Sequence, residues 1–323
     1  MRWGIVSTAN INEKVLAGVS GSPAVEVVAV GSRSREHADG FAAAHSIPRA
    51  HGSYEELLAD QDVEAVYIPL PNGMHVEWTL AALDAGKHVL CEKPLSPRAG
   101  EVERCFDAAE AAGLVLSEGF MWRHHPQAQR LEALVREGTI GELRLVRASF
   151  SFPLPRVPNV RWDAELDGGA LLDVGCYCVS GSRLLAGAEP ERVTGEAVMA
   201  DSGVDSRFAG TLRFPGDVLA VFDCGFDLPS RDELEAIGSE GSLFLDDPWH
   251  SMEPVIELRA LDGSLELVEV ERANPYGLEF EDVSAAIRGE REPRLGRADA
   301  LGQARALEAL LRSAAEGRPV AVA

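Results

Sequence analysis

The chain has 323 residues, of which 46% are hydrophobic and 25% charged, with a formal net charge of −22. That length exceeds what one hydrophobic core usually covers, so two domains are expected, and the apolar share excludes a disordered chain. The charge excludes nucleic acid and anionic membranes as partners, and no apolar run reaches the ~18–20 residues that cross a bilayer.

The opening MRWGIVSTAN reads as a strand entering a turn, not as a signal peptide, so a cytoplasmic protein is expected. Residues 1–121 alternate strands (2–7, 25–32, 63–70, 88–94 and 115–120) with helices (10–20, 34–45, 53–60, 75–86 and 97–112). Continuous apolar strands separated by helices with Gly stops predict a parallel, doubly wound sheet. The rhythm changes near residue 122: a helix over 126–137, a strand over 143–152, a Pro-rich loop FPLPRVPNVRW and a long helix over 168–186 follow. Seven consecutive strands then run from 192 to 271, and helices over 276–288 and 298–315 close the chain. Short turns such as Pro215-Gly216 and Asp262-Gly263 predict antiparallel pairing, hence an α+β domain with a large open, mostly antiparallel sheet over 122–323.

The first strand–turn–helix does not carry the GxGxxG of dinucleotide-binding folds. Ser7 and Ala9 stand where the first two glycines belong, and Asn12 stands near the third. These are small side chains at two of the three positions, and the helix N-terminus still offers free N–H groups to an anion. The second strand ends on Gly31-Ser32-Arg33, where NAD-binding folds place an acid; a hydroxyl and a guanidinium suit a 2′-phosphate, so NADP is favoured over NAD. Pro69-Leu70-Pro71-Asn72 closes the third strand and leads to His75, read as a cofactor contact or a helix cap.

Two separated motifs carry the chemistry: HVLCEKP at 88–94 and GGALLDVGCY at 168–177. Lys93 ends an apolar strand, where open α/β sheets place their reacting groups. Asp173 and Tyr177 are four apart and share a helix face. A cation, a carboxylate and a phenol can move a proton on and off a hydroxyl while a hydride moves to or from a nicotinamide. No metal is expected. His124 and His125 are adjacent, Cys176 and Cys178 are two apart, and neither pair converges on one ion. The five cysteines are odd in number and form no CxxC, so no disulfide framework is expected.

Together, WGIVSTANI, SYEELL, VEAVYIPLPNGMH, AGKHVLCEKPL, EGFMWRHHP and RWDAELDGGALLDVGCY resemble the Gfo/Idh/MocA oxidoreductases over essentially the whole length. The turn and the LLDVGCY helix are most similar to the branch of NADP-dependent D-xylose or D-glucose 1-dehydrogenases and dihydrodiol dehydrogenases. The resemblance implies a Rossmann NADP-binding domain over 1–121 and a substrate-binding and oligomerisation domain over 122–323, with a homodimer or homotetramer formed through the second sheet. It implies Lys93, Asp173 and Tyr177 as catalytic residues that also touch substrate, with Trp162 walling the substrate pocket. Cofactor residues would be Ser7, Thr8, Ala9, Asn10 and Ile11 at the pyrophosphate and Ser32 and Arg33 at the 2′-phosphate. Leu70, Pro71, Asn72 and His75 would border the adenosine and the nicotinamide ribose, with Glu92, Lys93 and Arg123 nearer the nicotinamide.

The implied reaction is hydride transfer between NADP and a sugar, polyol or dihydrodiol CH–OH group, Tyr177 exchanging the hydroxyl proton. A free phenol has a pKa of about 10, too high for a base at neutral pH, and the Lys93 ammonium would lower it. An NADPH-dependent keto-sugar reductase would use the same residues. An NADP-binding sensor without turnover should have lost the lysine or its partners, which are all present. An enzyme that keeps its cofactor bound while oxidising and re-reducing one substrate stays open.

Overall fold

A computed structural model of the chain describes residues 1–322. By its internal contacts the chain divides into two compact units, Met1–His124 with Asn274–Leu301, and His125–Ala273 with the segment from Gly302 onward. A single boundary near residue 121 therefore does not capture the division, because the segment from Asn274 clusters with the N-terminal residues.

The first unit begins β1 (Arg2–Val6), α1 (Ile11–Val19), β2 (Glu26–Gly31), α2 (Arg35–His45), β3 (Arg49–His51) and α3 (Tyr54–Leu58). It continues β4 (Ala65–Ile68), α4 (His75–Asp84), β5 (His88–Glu92), α5 (Ala99–Ala112) and β6 (Leu116–Gly119). The six strands pair in the order β3-β2-β1-β4-β5-β6, all parallel. Every residue of β4 and β6 is buried, as expected of strands covered on both faces. The strand order reverses between β1 and β4, which makes the C-terminal ends of these two strands the crevice of a doubly wound sheet. β3 escapes the sequence pattern because its Arg-Ala-His is short and half-exposed.

The second unit opens with α6 (Pro126–Arg136) and β7 (Leu143–Ser151), then the Pro-rich loop. The long helix of the sequence reading is two elements: a π-helical turn over Leu171–Gly175, then α7 (Cys176–Ala186). In this wide turn Gly175 sits so close to Cys224 Sγ that a Cβ would be 2.7 Å from the sulfur. The strands follow as β8 (Arg192–Met199), β9 (Asp205–Arg213), β10 (Leu219–Gly225), β11 (Arg231–Gly238), β12 (Gly241–Leu245), β13 (Val255–Ala260) and β14 (Leu265–Glu269). Helix α8 (Pro275–Ile287) belongs to the first unit, α9 (Arg297–Glu316) passes from the first unit into the second, and β15 (Val320–Ala321) ends the described chain.

The nine strands of this sheet lie in the order β14-β13-β12-β11-β7-β10-β9-β8-β15. All its pairs are antiparallel except β7 with β10. That parallel contact joins strands separated by a helix and two further strands, so no hairpin rule could reveal it. One face is buried through Phe208, Leu212, Ala220 and Phe222, with Phe208 and Phe222 stacked at 6.1 Å. Glycines let α9 approach: Gly195 N donates to Ser313 Oγ at 3.0 Å, and a Cβ on Gly195 would lie 2.9 Å from Leu310 O.

Within the first unit, α8 covers the sheet. Trp3 Nε1 donates to Ser284 Oγ at 3.2 Å, and Phe280 packs on Trp3 and Tyr67 with ring centroids 4.7 and 5.3 Å away. Glu279 lies fully buried on the same helix. Burial first, then the negative charge of Glu92 and Asp282, pushes its carboxyl well above the usual range. The folded chain therefore holds a proton that the unfolded chain releases, and stability from this group falls as pH rises above the unfolded value. Glu279→Gln, which cannot ionise, should raise the thermal midpoint more at pH 8 than at pH 5. An equal shift at both pH values in parallel melts would contradict the neutral carboxyl.

Candidate active site

The first unit carries its candidate residues beyond the C-terminal edge of the parallel sheet. Just beyond β1, Ser7 has φ +127°, a region that favours glycine, so the turn keeps a glycine-like geometry with a serine in it. Side chains brace it: Ser7 Oγ donates to Pro69 O at 3.4 Å and accepts from Ala9 N at 3.3 Å. The fully buried Asn12 donates through Nδ2 to Ser7 O at 2.9 Å. Asn12 thus has a function that the glycine pattern hides, closing the turn ahead of α1. Thr8 and Ala9 are half-buried, Asn10 is exposed and Ile11 opens the helix.

Beyond β2, Ser32 is buried and Arg33 exposed. The Arg33 guanidinium lies near Tyr54, whose phenol is raised by burial and pulled down by that cation. Tyr54 also meets Trp78 edge-on at 4.8 Å. Beyond β4, Leu70 is buried, and Pro71 and Asn72 are half-buried at the start of a 3₁₀ turn.

His75 is fully buried, with Nε2 2.8 Å from Leu70 O and Nδ1 2.8 Å from Pro94 O. It clasps the segments that follow β4 and β5. Glu92 Oε1 accepts from Tyr67 at 2.7 Å, Lys93 is half-buried, and the Lys93–Pro94 peptide is cis. Leu95 N donates to the buried Glu118 at 2.7 Å, anchoring the far side of the lysine segment. After β6, Arg123 reaches Asp299 at 3.4 Å and lies over the Trp122 ring at 5.8 Å. His124 is held neutral, lowered to about 3 by burial and then by neighbouring arginines.

In the second unit, Asp173 lies in the π turn with its side chain 14% exposed and accepts from Arg161 Nε at 2.5 Å. Tyr177, buried at the start of α7, meets Phe150 edge-on at 5.4 Å and lies 5.8 Å from Trp249. Trp249 is anchored by Nε1 to Ser149 O at 3.2 Å. Trp162 donates to Pro155 O at 3.1 Å, meets Phe226 edge-on at 5.2 Å and lies under Arg156 at 5.5 Å. It lines an open cavity of about 800 Å³ with Val157, Asn159, Asp163 and Ser202.

Sequence reasoning missed Arg161, Phe150, Trp249 and His250. The only signal for Arg161 was its place beside Trp162, since no periodicity links residue 161 to residue 173. His250 Nδ1 is 2.7 Å from Asp232 and 3.6 Å from Asp247, and its ring meets Phe150 edge-on at 5.7 Å. These two acids and the histidine could gather round an ion, with ligand atoms within 4.8 Å of one another. Their oxygens already accept from Trp249 N, His250 N and Met252 N, which accounts for them as the stitching of a loop. His125 Nδ1 accepts from Gln127 N at 3.0 Å and caps α6. Cys178 is buried and kept a thiol by that burial. Among the described residues no helix is long and apolar enough to cross a membrane.

The profile described as oxidoreductase family, NAD-binding Rossmann fold, matches residues 1–120, and that of the GFO/IDH/MocA C-terminal domain matches residues 128–244. The chain is 37% identical to D-xylose 1-dehydrogenase (NADP(+)) 2 of Haloferax volcanii over 325 residues, covering 99% of each chain. It is 37% identical to trans-1,2-dihydrobenzene-1,2-diol dehydrogenase of Danio rerio, covering 75% of this chain and 73% of the other. Among solved structures it is similar to a 3-ketoreductase from Actinomadura kijaniata in complex with NADP and TDP-benzene, with TM-score 0.91, 32% identity and 97% of each chain covered.

The brace under the first turn can be tested by itself. Asn12→Ala removes the bond to Ser7 O and should cost about 1–3 kcal/mol, read as a lower urea midpoint. An unchanged midpoint would show that Ser7 holds its conformation without Asn12.

Proposed function

The chain belongs to the Gfo/Idh/MocA oxidoreductase family, and on that premise we propose that it moves a hydride between NADP and a CH–OH carbon of a sugar, polyol or dihydrodiol. The observation that carries the reading is the β1–α1 turn, where Ser7 keeps a glycine-like φ of +127° ahead of a helix N-terminus. That helix start suits a pyrophosphate. Arg33, exposed beyond β2 with Ser32 beside it, suits a 2′-phosphate that an acid would repel. Leu70, Pro71 and Asn72 follow β4 at the same edge and are assigned to the cofactor's riboses, with His75 holding their backbone in place.

The nicotinamide, when bound, takes or delivers the hydride. Tyr177 is assigned the proton of the substrate hydroxyl: it takes that proton in oxidation and returns it to a carbonyl oxygen in reduction. Lys93 is assigned to the charge that develops on that oxygen. Asp173 is assigned to orient the substrate, and its ion pair with Arg161 fixes the carboxylate in direction. The aromatic cluster of Phe150 and Trp249 keeps water from the Tyr177 ring. Trp162 walls the substrate side, while Arg123, tied to Asp299, lends positive charge near the nicotinamide.

Similarity to the 3-ketoreductase favours a second reading, the reverse reaction on a keto-sugar with NADPH. The same residues serve both, because proton and hydride retrace their paths. The protein is further proposed to be cytoplasmic and to act on small molecules as a homodimer or homotetramer. The outer face of the second sheet supports the oligomer: Leu219 and Val221 on β10 are 42% and 36% exposed in an otherwise regular strand. Light scattering that gives one chain's mass would overturn that part.

The deciding assay follows nicotinamide absorbance with NADP+ or NAD+ across aldoses, inositols and trans-dihydrodiols, and with NADPH across keto-sugars. Tyr177→Phe should keep cofactor affinity and lose about 10²–10⁴ in kcat; near-full turnover would remove Tyr177 from proton transfer. Arg33→Ala should weaken NADP+ by about tenfold, the scale of one charge-assisted hydrogen bond, and leave NAD+ unchanged. Equal weakening of both cofactors would refute the 2′-phosphate assignment.

A further inference from the structure

The first N–H groups of any helix lack partners within it. In the segment that opens the GGALLD turn, three of them find acceptors elsewhere in the second unit. Gly168 N donates to Asp163 O at 2.9 Å, Gly169 N to Arg161 O at 2.9 Å and Leu171 N to Asp205 Oδ2 at 2.7 Å. Ala170 N lies near enough to the Asp205 carboxyl to favour its charged form.

Asp205 is the first residue of β9, far downstream in sequence, and only 5% exposed. Burial pushes its carboxyl up to about 6, and the N–H groups of Leu171 and Ala170 pull against that rise. Its oxygens face the positive end of the helix, where negative charge is favourably placed. Gly169 completes the fit: it has φ +110°, and a Cβ there would collide with Asp205 Oδ1.

We propose that Asp205 is a positioning residue: its carboxylate caps the π turn Leu171–Gly175 from β9 and so sets the direction of Asp173 and Tyr177 toward the substrate. This rests on the reading of Asp173 and Tyr177 as active-site residues. Two features make the role specific. A carboxylate only accepts, so either oxygen suits the backbone N–H groups it faces, whereas an amide would put a donor beside them. The same turn also receives Arg161, whose backbone carbonyl holds Gly169 and whose side chain holds Asp173. Loop, turn and strand therefore fix one carboxylate from three directions.

The test uses the full chain. Asp205→Asn should speed amide exchange over residues 168–177 by about 10–100-fold, the factor that a charge-assisted hydrogen bond sustains. Exchange in the β1–α1 turn and NADPH affinity, read by fluorescence, should not change. With the fastest alcohol of the panel, kcat should fall while KM for NADP+ stays the same. In an Asp173→Asn background the same substitution should cost little more, because the two act through one group. Unchanged exchange at 168–177 would overturn the proposal, as would an equal loss of kcat in both backgrounds, which marks a merely structural residue. If Asp205→Asn does not fold, Gly169→Ala displaces the carboxylate instead and is held to the same readouts. If Asp173→Asn keeps full turnover, the reading of Asp173 fails and the positioning role falls with it, while exchange at 168–177 still decides whether the cap exists.

Discussion

Parallel pairing of β1 with both β2 and β4 is the constraint on which the first unit depends. Parallel strands cannot be joined by a tight turn, so each needs a crossover, and all crossovers leave from one edge of the sheet. That edge collects Ser7, Ser32, Leu70 and Lys93 from four different strands. Because the order reverses at β1 and β4, the loops that follow these two strands diverge and leave a crevice. His75 then ties the segments after β4 and β5 together through two carbonyls. The placement of Lys93 is thus a consequence of strand order, refined by one buried side chain.

The second unit solves a different problem, how to start a helix in the middle of a core. Its opening N–H groups are buried away from water and must all be paired. Two glycines let the RWD turn and the Asp205 carboxylate approach closely enough to pair them. The outcome is a turn that carries Asp173 and Tyr177, one side chain held by Arg161 and the other packed against Phe150 and Trp249.

Much of this was legible beforehand. The apolar runs at 2–7, 63–70 and 88–94 mark strands buried on both faces, and β1, β4 and β5 lie within them. The turn residues at Pro215-Gly216 and Asp262-Gly263 separate β9 from β10 and β13 from β14. The motif residues stood out as candidates because their types are costly to place without a use: a lysine ending an apolar strand, an acid after two glycines. β3 and β15 were not, since three and two residues carry no period. The π turn was not, because periodicity cannot separate a wide turn from an α-helix over five residues.

By itself the sequence determined most of what depends on local pattern: where the longer strands and helices run, the α/β character of the first half, the open sheet of the second, and the motifs that mark the family. Only the tertiary structure decided what depends on residues far apart in the chain. It returned α8 to cover the first sheet, paired β7 with β10, and brought Arg161 and Asp205 to the turn that carries Asp173. The physical reason is the same in each case. A hydrogen bond or an ion pair between distant residues leaves no periodic trace, because its partners are chosen by where the packed elements put them.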